Sequence, residues 1–253
     1  MIRLERVCKA YGAIQALRDV DLHVRAGEVF GFVGPNGAGK TTTLRILAGL
    51  LRPSSGSVAV AGIDLAKDPV AVKRLMGYIP DRPYIYEKLT GVEFLGFVAG
   101  LYGVDDTLRR RRIPELLERF GLTDRGSDLV EGYSHGMKQR LVLCSALLHD
   151  PRVLVVDEPM VGLDPAGARL IKEVFRRLCE DDDRTVFVST HSLDVAEELC
   201  DRIGVIHQGR IIAMGTLSDL RAKAGGEGSR LEEVFFHLTE EAATAAPAFG
   251  ITG

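Results

Sequence analysis

The chain has 253 residues, of which 46% are apolar and 26% are charged. This balance is typical of a globular protein with a sizeable core, and it excludes disorder and collagen-like repeats. The net charge of -3 argues against a general affinity for nucleic acid, so phosphate binding has to be local.

The cysteines and the N-terminal residues predict the cellular compartment of the protein. The four cysteines lie far apart without a C-x-x-C pair, which argues against a disulfide framework or a zinc knuckle and fits a reducing cytoplasm. The first six residues carry charges where a signal peptide needs an apolar core. No run approaches the roughly 18 apolar residues of a membrane span. We therefore expect a cytoplasmic chain that does not cross a membrane by itself.

The first part of the chain predicts short strands and then helices. Apolar or alternating runs at Val20–Val24, Val29–Val33 and Ser57–Gly62 are typical of strands. Thr90 begins a capping box, and apolar residues then recur at helical spacing, so residues 88–148 are predicted to be mostly helical.

The second part predicts a parallel sheet. Val153–Val156 is a continuous apolar run that suits a strand buried on both faces. Pro165 begins an amphipathic helix, and Thr185–Ser189 is the next strand. Strand, helix and strand in this order imply parallel pairing. Residues 242–253, which are rich in Ala, Thr, Gly and Pro, are predicted to form a frayed tail.

One glycine-rich segment predicts a phosphate site. It matches G-x-x-x-x-G-K-S/T directly after a strand and opens a helical segment. Glycines let backbone N–H groups surround phosphate oxygens, Lys40 supplies positive charge, and the Thr41 hydroxyl can bind magnesium. The alternative, a plain turn before a helix, is disfavoured by this context. The predicted nucleotide-binding residues here are Gly34, Pro35, Asn36, Gly37, Ala38, Gly39, Lys40, Thr41 and Thr42.

Two acids follow the buried strand, where open parallel sheets place their ligands. Asp157 is predicted to hold magnesium, and Glu158, one residue nearer the loop, to polarise a water molecule. A capping acid after a strand is the alternative.

These motifs, followed in order by Gly162-Leu163-Asp164 and Thr190-His191-Ser192, resemble the ATP-binding-cassette family over about residues 1–220. The resemblance implies an α/β fold with a P-loop NTPase parallel sheet core, a small antiparallel β subdomain and the helical insert at 88–148. Residues 221–253 would form a C-terminal extension. The resemblance also implies that ATP and Mg²⁺ are bound.

Tyr133–Arg140 resembles the signature segment of that family. Ser134 and Gly136 match, whereas Tyr133, His135 and Met137 depart from the pattern. The resemblance implies that Ser134 and Gly136 contact the nucleotide of a second subunit, either a copy of this chain or a sister cassette. A simple helix cap at Ser134 is the alternative.

The resemblance assigns further roles to single residues. Tyr11 stands at the place of the adenine-stacking aromatic, Asp164 belongs to the nucleotide site, and His191 resembles the switch histidine beside the γ-phosphate. Asp81 stands where the family usually has a glutamine that reaches the magnesium. The alternatives are a surface or core tyrosine for Tyr11, a loop histidine for His191 and a turn residue for Asp81.

The expected function is an ATP-hydrolysing subunit that powers transport through a separate integral membrane permease, on the inner face of the membrane and without nucleic acid. The segments 209–217 and 231–236 resemble the bacterial multidrug and natural-product export branch. Kinases and GTPases are alternatives, although the sequence lacks an Asn/Thr-Lys-x-Asp guanine motif. A soluble cassette ATPase of DNA repair or translation is another, and it would typically carry two cassettes or a long coiled coil.

Overall fold

The structure is a computed structural model that describes residues 1–82, 84–180, 184–223 and 231–245. Its strands are β1 (Ile2–Tyr11), β2 (Ile14–Val24), β3 (Val29–Val33), β4 (Ser55–Val60), β5 (Ile63–Asp64), β6 (Met76–Ile79), β7 (Val153–Asp157), β8 (Thr185–Thr190), β9 (Arg202–His207) and β10 (Arg210–Gly215). Its α-helices are α1 (Lys40–Leu47), α2 (Pro69–Arg74), α3 (Gly91–Tyr102), α4 (Asp106–Arg119), α5 (His135–Leu147), α6 (Pro165–Glu180), α7 (Leu193–Leu199), α8 (Leu217–Lys223) and α9 (Leu231–Ala245).

The central sheet has the strand order β10-β9-β3-β8-β7-β6, and its inner pairs β9-β3, β3-β8, β8-β7 and β7-β6 are parallel. Every residue of β3, β7 and β8 is buried, which explains their continuous apolar runs. Phe187 packs between Phe30 and Phe32, with ring centroids 5.6 and 5.5 Å away. The predicted parallel core is confirmed.

A second sheet has the order β2-β1-β4-β5 and is antiparallel throughout, which confirms the predicted small β subdomain. The predicted strands at Val20–Val24 and Val29–Val33 belong to different sheets, since β2 pairs with β1 and β3 pairs with β8 and β9. The strand predicted over Ser57–Gly62 ends at Val60, because the next two residues turn with positive φ.

The insert between β6 and β7 contains α3, α4 and α5, as predicted for residues 88–148. The capping box is present: Thr90 Oγ1 accepts a hydrogen bond from Glu93 N, and the Glu93 carboxylate accepts one from Thr90 N. The apolar residues at helical spacing, Ile113, Leu116, Leu117 and Phe120, are all buried. They share one buried cluster with Val156 of β7 and Val188 of β8, which stabilises the insert against the sheet.

The end of α5 joins this insert to the central sheet. The Asp150 carboxylate pairs with Arg112 of α4 and with Arg184, which precedes β8, each at 2.5 Å. The neighbouring His149 ring stacks on Tyr102 with a centroid distance of 3.7 Å. Burial lowers the pKa of His149 to about 4, so the stacked ring is neutral at pH 7.

The C-terminal helix packs on the core. Leu231, Val234 and Leu238 form one buried cluster with Val33 and Val205. Helix α9 extends to Ala245 and so takes in the first residues of the segment predicted to be a frayed tail, because alanine favours a helix that has already begun. Residues 246–253 lie outside the described residues. In the described part of the chain, no helix is both long and apolar enough to cross a membrane.

Candidate active site

The candidate site lies where the carboxyl ends of β3, β7 and β8 meet at one edge of the sheet. Parallel strands place their following loops at the same edge, which is where open α/β sheets bind ligands. A cavity of about 390 Å³ opens there. Its lining residues are Ala16, Pro35, Asn36, Gly37, Gly39, Lys40, Thr41, Thr42, Asp81, Asp157, Glu158, Val161 and His191.

The loop from Gly34 to Gly39 needs its glycines for conformation and for space. Gly37 and Gly39 have φ of 79° and 115°, which residues with a side chain rarely adopt. A Cβ at Gly39 would lie 2.7 Å from a methyl group of Leu17. Helix α1 begins immediately afterwards at Lys40, so its N-terminal N–H groups face the cavity, as an anion site requires.

Lys40 turns its ammonium group back onto this loop. Its Nζ donates hydrogen bonds to Gly34 O at 2.6 Å and to Pro35 O at 3.1 Å. Burial lowers the pKa of Lys40, while the charges of Glu158 and Asp157 act in the opposite direction. These carbonyl oxygens therefore hold the ammonium group beside the cavity, where phosphate oxygens can replace them.

Asp157 is 3% exposed and joins the loop to β7. Its Oδ2 accepts a hydrogen bond from Thr41 Oγ1 at 3.2 Å. Burial raises the pKa of the Asp157 carboxyl, and the negative charges of Glu158 and Asp81 act in the same direction. Asp81 is exposed and lines the same cavity. The predicted metal ligands Thr41, Asp81 and Asp157 are thus brought together as a set of oxygen donors.

Glu158 adopts a left-handed backbone conformation, with φ of 50°, which costs about 1–3 kcal/mol for a residue with a side chain. Its N–H donates to Ser189 O at 2.8 Å. Its Oε1 accepts hydrogen bonds from His191 N at 2.9 Å and from His191 Nδ1 at 2.7 Å. A carboxylate oxygen accepts, so Nδ1 of the His191 ring donates this hydrogen bond. The structure brings Glu158 and His191, whose roles were predicted separately, into direct contact.

The contact of Thr190 with Glu158 was not predicted. Thr190 Oγ1 donates a hydrogen bond to Glu158 Oε2 at 3.0 Å, and Thr190 is 2% exposed. The only signal in the sequence is a hydroxyl residue at the end of a strand directly before the histidine. The contact itself depends on the register of β7 against β8, in which Asp157 lies opposite Ser189, and the sequence predicts the parallel pairing but not this register.

The remaining predicted residues do not line this cavity. Tyr11 is 45% exposed at the end of β1, and its ring lies under Lys9 Nζ at 5.3 Å. Asp164 Oδ1 accepts from Gly167 N in the first turn of α6, and Ser134 Oγ accepts from Met137 N as the cap of α5. A nucleotide role for these residues stays a prediction.

The signature segment contacts the loop that follows Glu158 within the same chain. Gly162 has φ of 76°, and a Cβ there would lie 2.6 Å from the His135 ring. The adjacent Gly136 is partly buried, and a Cβ there would lie in ordinary van der Waals contact with Leu163 at 3.6 Å. His135 thus packs beside Gly162, and Leu163 packs beside Gly136.

Comparisons with known proteins agree with this geometry. The family described as ABC transporter matches residues 17–161. The linearmycin resistance ATP-binding protein LnrL of Bacillus subtilis is 39% identical over 227 residues, which cover 90% of this chain and 73% of that protein.

Two solved structures are similar in fold. The ATP-binding subunit of an ABC transporter superposes with a TM-score of 0.88 at 36% identity, over 94% of this chain and 99% of that one. A dimeric ATP-binding cassette in a post-hydrolysis state, bound to ADP and Pi, superposes with a TM-score of 0.78 at 27% identity, over 86% and 99% of the two chains.

We expect Asp157→Asn to stabilise the fold at pH 7. The pKa of Asp157 is raised above its ordinary 3.8, so between pH 3.8 and this raised pKa the folded state keeps a proton that the unfolded state has lost. The free energy of unfolding of the wild type therefore falls as pH rises through this range. Asparagine removes the buried charge and keeps an oxygen that can accept from Thr41. Thermal unfolding between pH 8 and pH 4 measures the gain, which should shrink towards pH 3.8.

The exposed Asp124 provides the control, because Asp124→Asn should leave the unfolding temperature unchanged. If Asp157→Asn is less stable than the wild type at pH 7, the hydrogen bonds to the charged carboxylate outweigh the effect of burial.

Proposed function

This chain belongs to the ABC transporter family, and we propose that it powers export through a separate membrane permease by hydrolysing ATP in the cavity at the ends of β3, β7 and β8. The observation that carries the proposal is the direct contact of Glu158 with His191 in the cavity that also contains Lys40 and Thr41. A charged general base, a polarising imidazole and a phosphate loop are the groups that hydrolysis of a phosphoanhydride requires.

The phosphate loop would bind the triphosphate through its backbone N–H groups and Lys40. Lys40 is already desolvated and held at the cavity by two carbonyl oxygens, so little rearrangement is needed to contact the β- and γ-phosphates. The positive end of α1 adds to the attraction. Binding in this cavity would leave the γ-phosphate facing the ends of β7 and β8.

The oxygen donors at the cavity fit magnesium. A hydroxyl and two carboxylates, those of Thr41, Asp157 and Asp81, match the usual pattern in which Mg²⁺ takes one or two carboxylates and completes its shell with phosphate oxygens and water. Asp157 and Thr41 already lie within hydrogen-bonding distance of each other. The bound ion would neutralise phosphate charge beside the buried Asp157.

Glu158 would orient and deprotonate the attacking water molecule. Its carboxylate is held by Thr190 and His191 at the mouth of the cavity. His191 donates through Nδ1, so its Nε2 is available to the γ-phosphate or the water, and the side chain is 58% exposed. The left-handed backbone of Glu158 places the carboxylate beyond the end of β7, where a water molecule has access.

Two chains would complete each site. Ser134 caps α5 and Gly136 lies in its first turn, away from the cavity of their own chain, and the first N–H groups of a helix have no acceptor within the helix. A two-fold dimer would place these N–H groups against the nucleotide of the opposite chain and form two equivalent sites. The similar cassette bound to ADP and Pi is a dimer, which supports this arrangement for a homodimer or for a pair with a sister cassette.

The direction of transport is inferred from a relative. LnrL is named for resistance to linearmycin, which supports export of a toxic compound and a location on the inner face of the cell membrane. Family membership decides against a kinase or a GTPase. Similarity to a transporter subunit favours transport over a role in DNA repair or translation.

We expect Glu158→Gln to lower kcat by about a hundredfold or more while ATP binding is kept, because the amide cannot accept the proton of water. Lys40→Ala should instead weaken ATP binding itself, since it removes the charge that faces the phosphates. ATP turnover and equilibrium binding of a fluorescent ATP analogue measure the two effects.

Exposed residues of the same types provide the controls, Glu118→Gln on α4 and Lys67→Ala, and both should behave as the wild type does. Turnover at the normal rate in Glu158→Gln would remove Glu158 from the proposed role.

We also expect the Glu158→Gln protein to dimerise when ATP and Mg²⁺ are added, because bound nucleotide that is not hydrolysed keeps the two chains together. Adding Ser134→Arg should prevent dimerisation by placing a large side chain at the start of α5. Light scattering measures the mass, with the exposed Ser127→Arg as the control. If Ser134→Arg dimerises as readily as Ser127→Arg, the interface is elsewhere.

A further inference from the structure

Thr190 links the end of β8 to the side chain of Glu158, and it has no assigned role in the proposed reaction. We propose that Thr190 is a positioning residue of Glu158: its hydroxyl fixes Oε2 of the carboxylate so that Oε1 can act on water once the His191 ring moves away from it. The inference rests on the proposed role of Glu158, and the experiment below separates the two.

The hydrogen bonds of Thr190 have a defined direction. Ser192 N donates to Thr190 Oγ1 at 3.0 Å, so the hydroxyl oxygen already accepts a hydrogen bond. Its single proton points to Glu158 Oε2 at 3.0 Å, since the carboxylate can only accept. Thr190 is 2% exposed, and its branched side chain has few rotamers. A buried, stiff donor with one acceptor is suited to fixing a carboxylate.

Glu158 needs such a donor because its own strand does not hold it. Glu158 lies beyond the end of β7 with φ of 50°, so the regular hydrogen bonds between β7 and β8 no longer determine the direction of its side chain. Its backbone N–H and its carboxylate both bind to β8 and the residue after it, through Ser189 O, Thr190 and His191. The orientation of Glu158 is therefore determined by the neighbouring strand.

The two carboxylate oxygens have different partners. Oε1 accepts from the backbone N–H of His191 at 2.9 Å and from Nδ1 of its ring at 2.7 Å, and that side chain is 58% exposed. Oε2 is bound by Thr190, which is part of a buried strand and stays in place. Movement of the His191 ring would leave the place of Nδ1 at Oε1 to a water molecule, while the backbone N–H of His191 and the Thr190 hydroxyl still restrain the carboxylate.

The test compares Thr190→Val, Thr190→Ser and Thr185→Val in the full chain. Valine removes the hydroxyl and keeps the shape, whereas serine keeps the hydroxyl and removes the methyl group. Thr185 is the matched control because it lies at the other end of β8, is fully buried, and its hydroxyl donates to Arg25 O and accepts from Gly27 N. Steady-state ATP turnover, ATP binding and thermal unfolding are measured for each.

We expect Thr190→Val to lower kcat by about tenfold to a hundredfold with KM and ATP affinity within about twofold of the wild type. Thr190→Ser should stay within about threefold of the wild-type kcat, because it retains the donor. Thr185→Val should lose thermal stability and keep its kcat. If Thr190→Val keeps the normal kcat, or if Thr190→Ser loses as much as Thr190→Val, the positioning role is wrong.

Glu158→Gln, measured in parallel, separates the two claims. If Glu158→Gln is inactive while Thr190→Val has the normal kcat, only the proposed role of Thr190 is wrong. If Glu158→Gln turns over ATP at the normal rate, the proposed role of Glu158 is wrong as well. The double variant Glu158→Gln, Thr190→Val should be no slower than Glu158→Gln alone, because a residue that acts only through Glu158 has no further effect once that group is replaced. A further loss in the double variant would show that Thr190 acts in another way.

Discussion

The parallel register of three strands is the constraint on which the site depends. Val33 lies opposite Thr190 in the pair β3-β8, and Asp157 lies opposite Ser189 in the pair β8-β7. The three strands therefore end at the same level, and the loop of Lys40 is brought to the two acids. A slip of one residue would turn Asp157 to the other face of the sheet. The fully buried strands, with Phe187 at their centre, make such a slip unfavourable.

The sheet holds groups at this edge that would not be stable alone. Asp157 is a buried carboxylate with a raised pKa, Lys40 is a desolvated amine, and Glu158 has a strained backbone. Each of these three features costs free energy in the folded state by itself. The charges of Asp157 and Lys40 would be compensated when a metal ion and a polyphosphate bind, and the strained backbone of Glu158 would serve to orient its carboxylate. The edge is thus prepared for a ligand whose charges complement its own, and the energy that maintains it comes from the packing of the core.

Local patterns predicted much of the fold and the site. The phosphate loop, the acids at the end of β7 and the capping box at Thr90 are short motifs whose geometry is set by their own residues, and the structure forms each of them. Features that depend on how strands distant in the sequence pair with one another were not predictable in this way. The separation of β2 and β3 into different sheets and the hydrogen bond of Thr190 to Glu158 both follow from strand partners far along the chain. Ser134 and Gly136 lie away from the cavity of their own chain, and their contact with a nucleotide in a second chain stays a proposal.

The structure of the Glu158→Gln protein with ATP and Mg²⁺ tests the account most directly. We expect the triphosphate in the cavity at the strand ends, with Lys40 Nζ moved from the carbonyl oxygens of Gly34 and Pro35 to the phosphates and with Thr41 and Asp157 at the metal. The side chain at position 158 should face the γ-phosphate and keep its hydrogen bond to Thr190. Nucleotide bound outside this cavity, or a side chain at position 158 turned away from the γ-phosphate, would contradict the account.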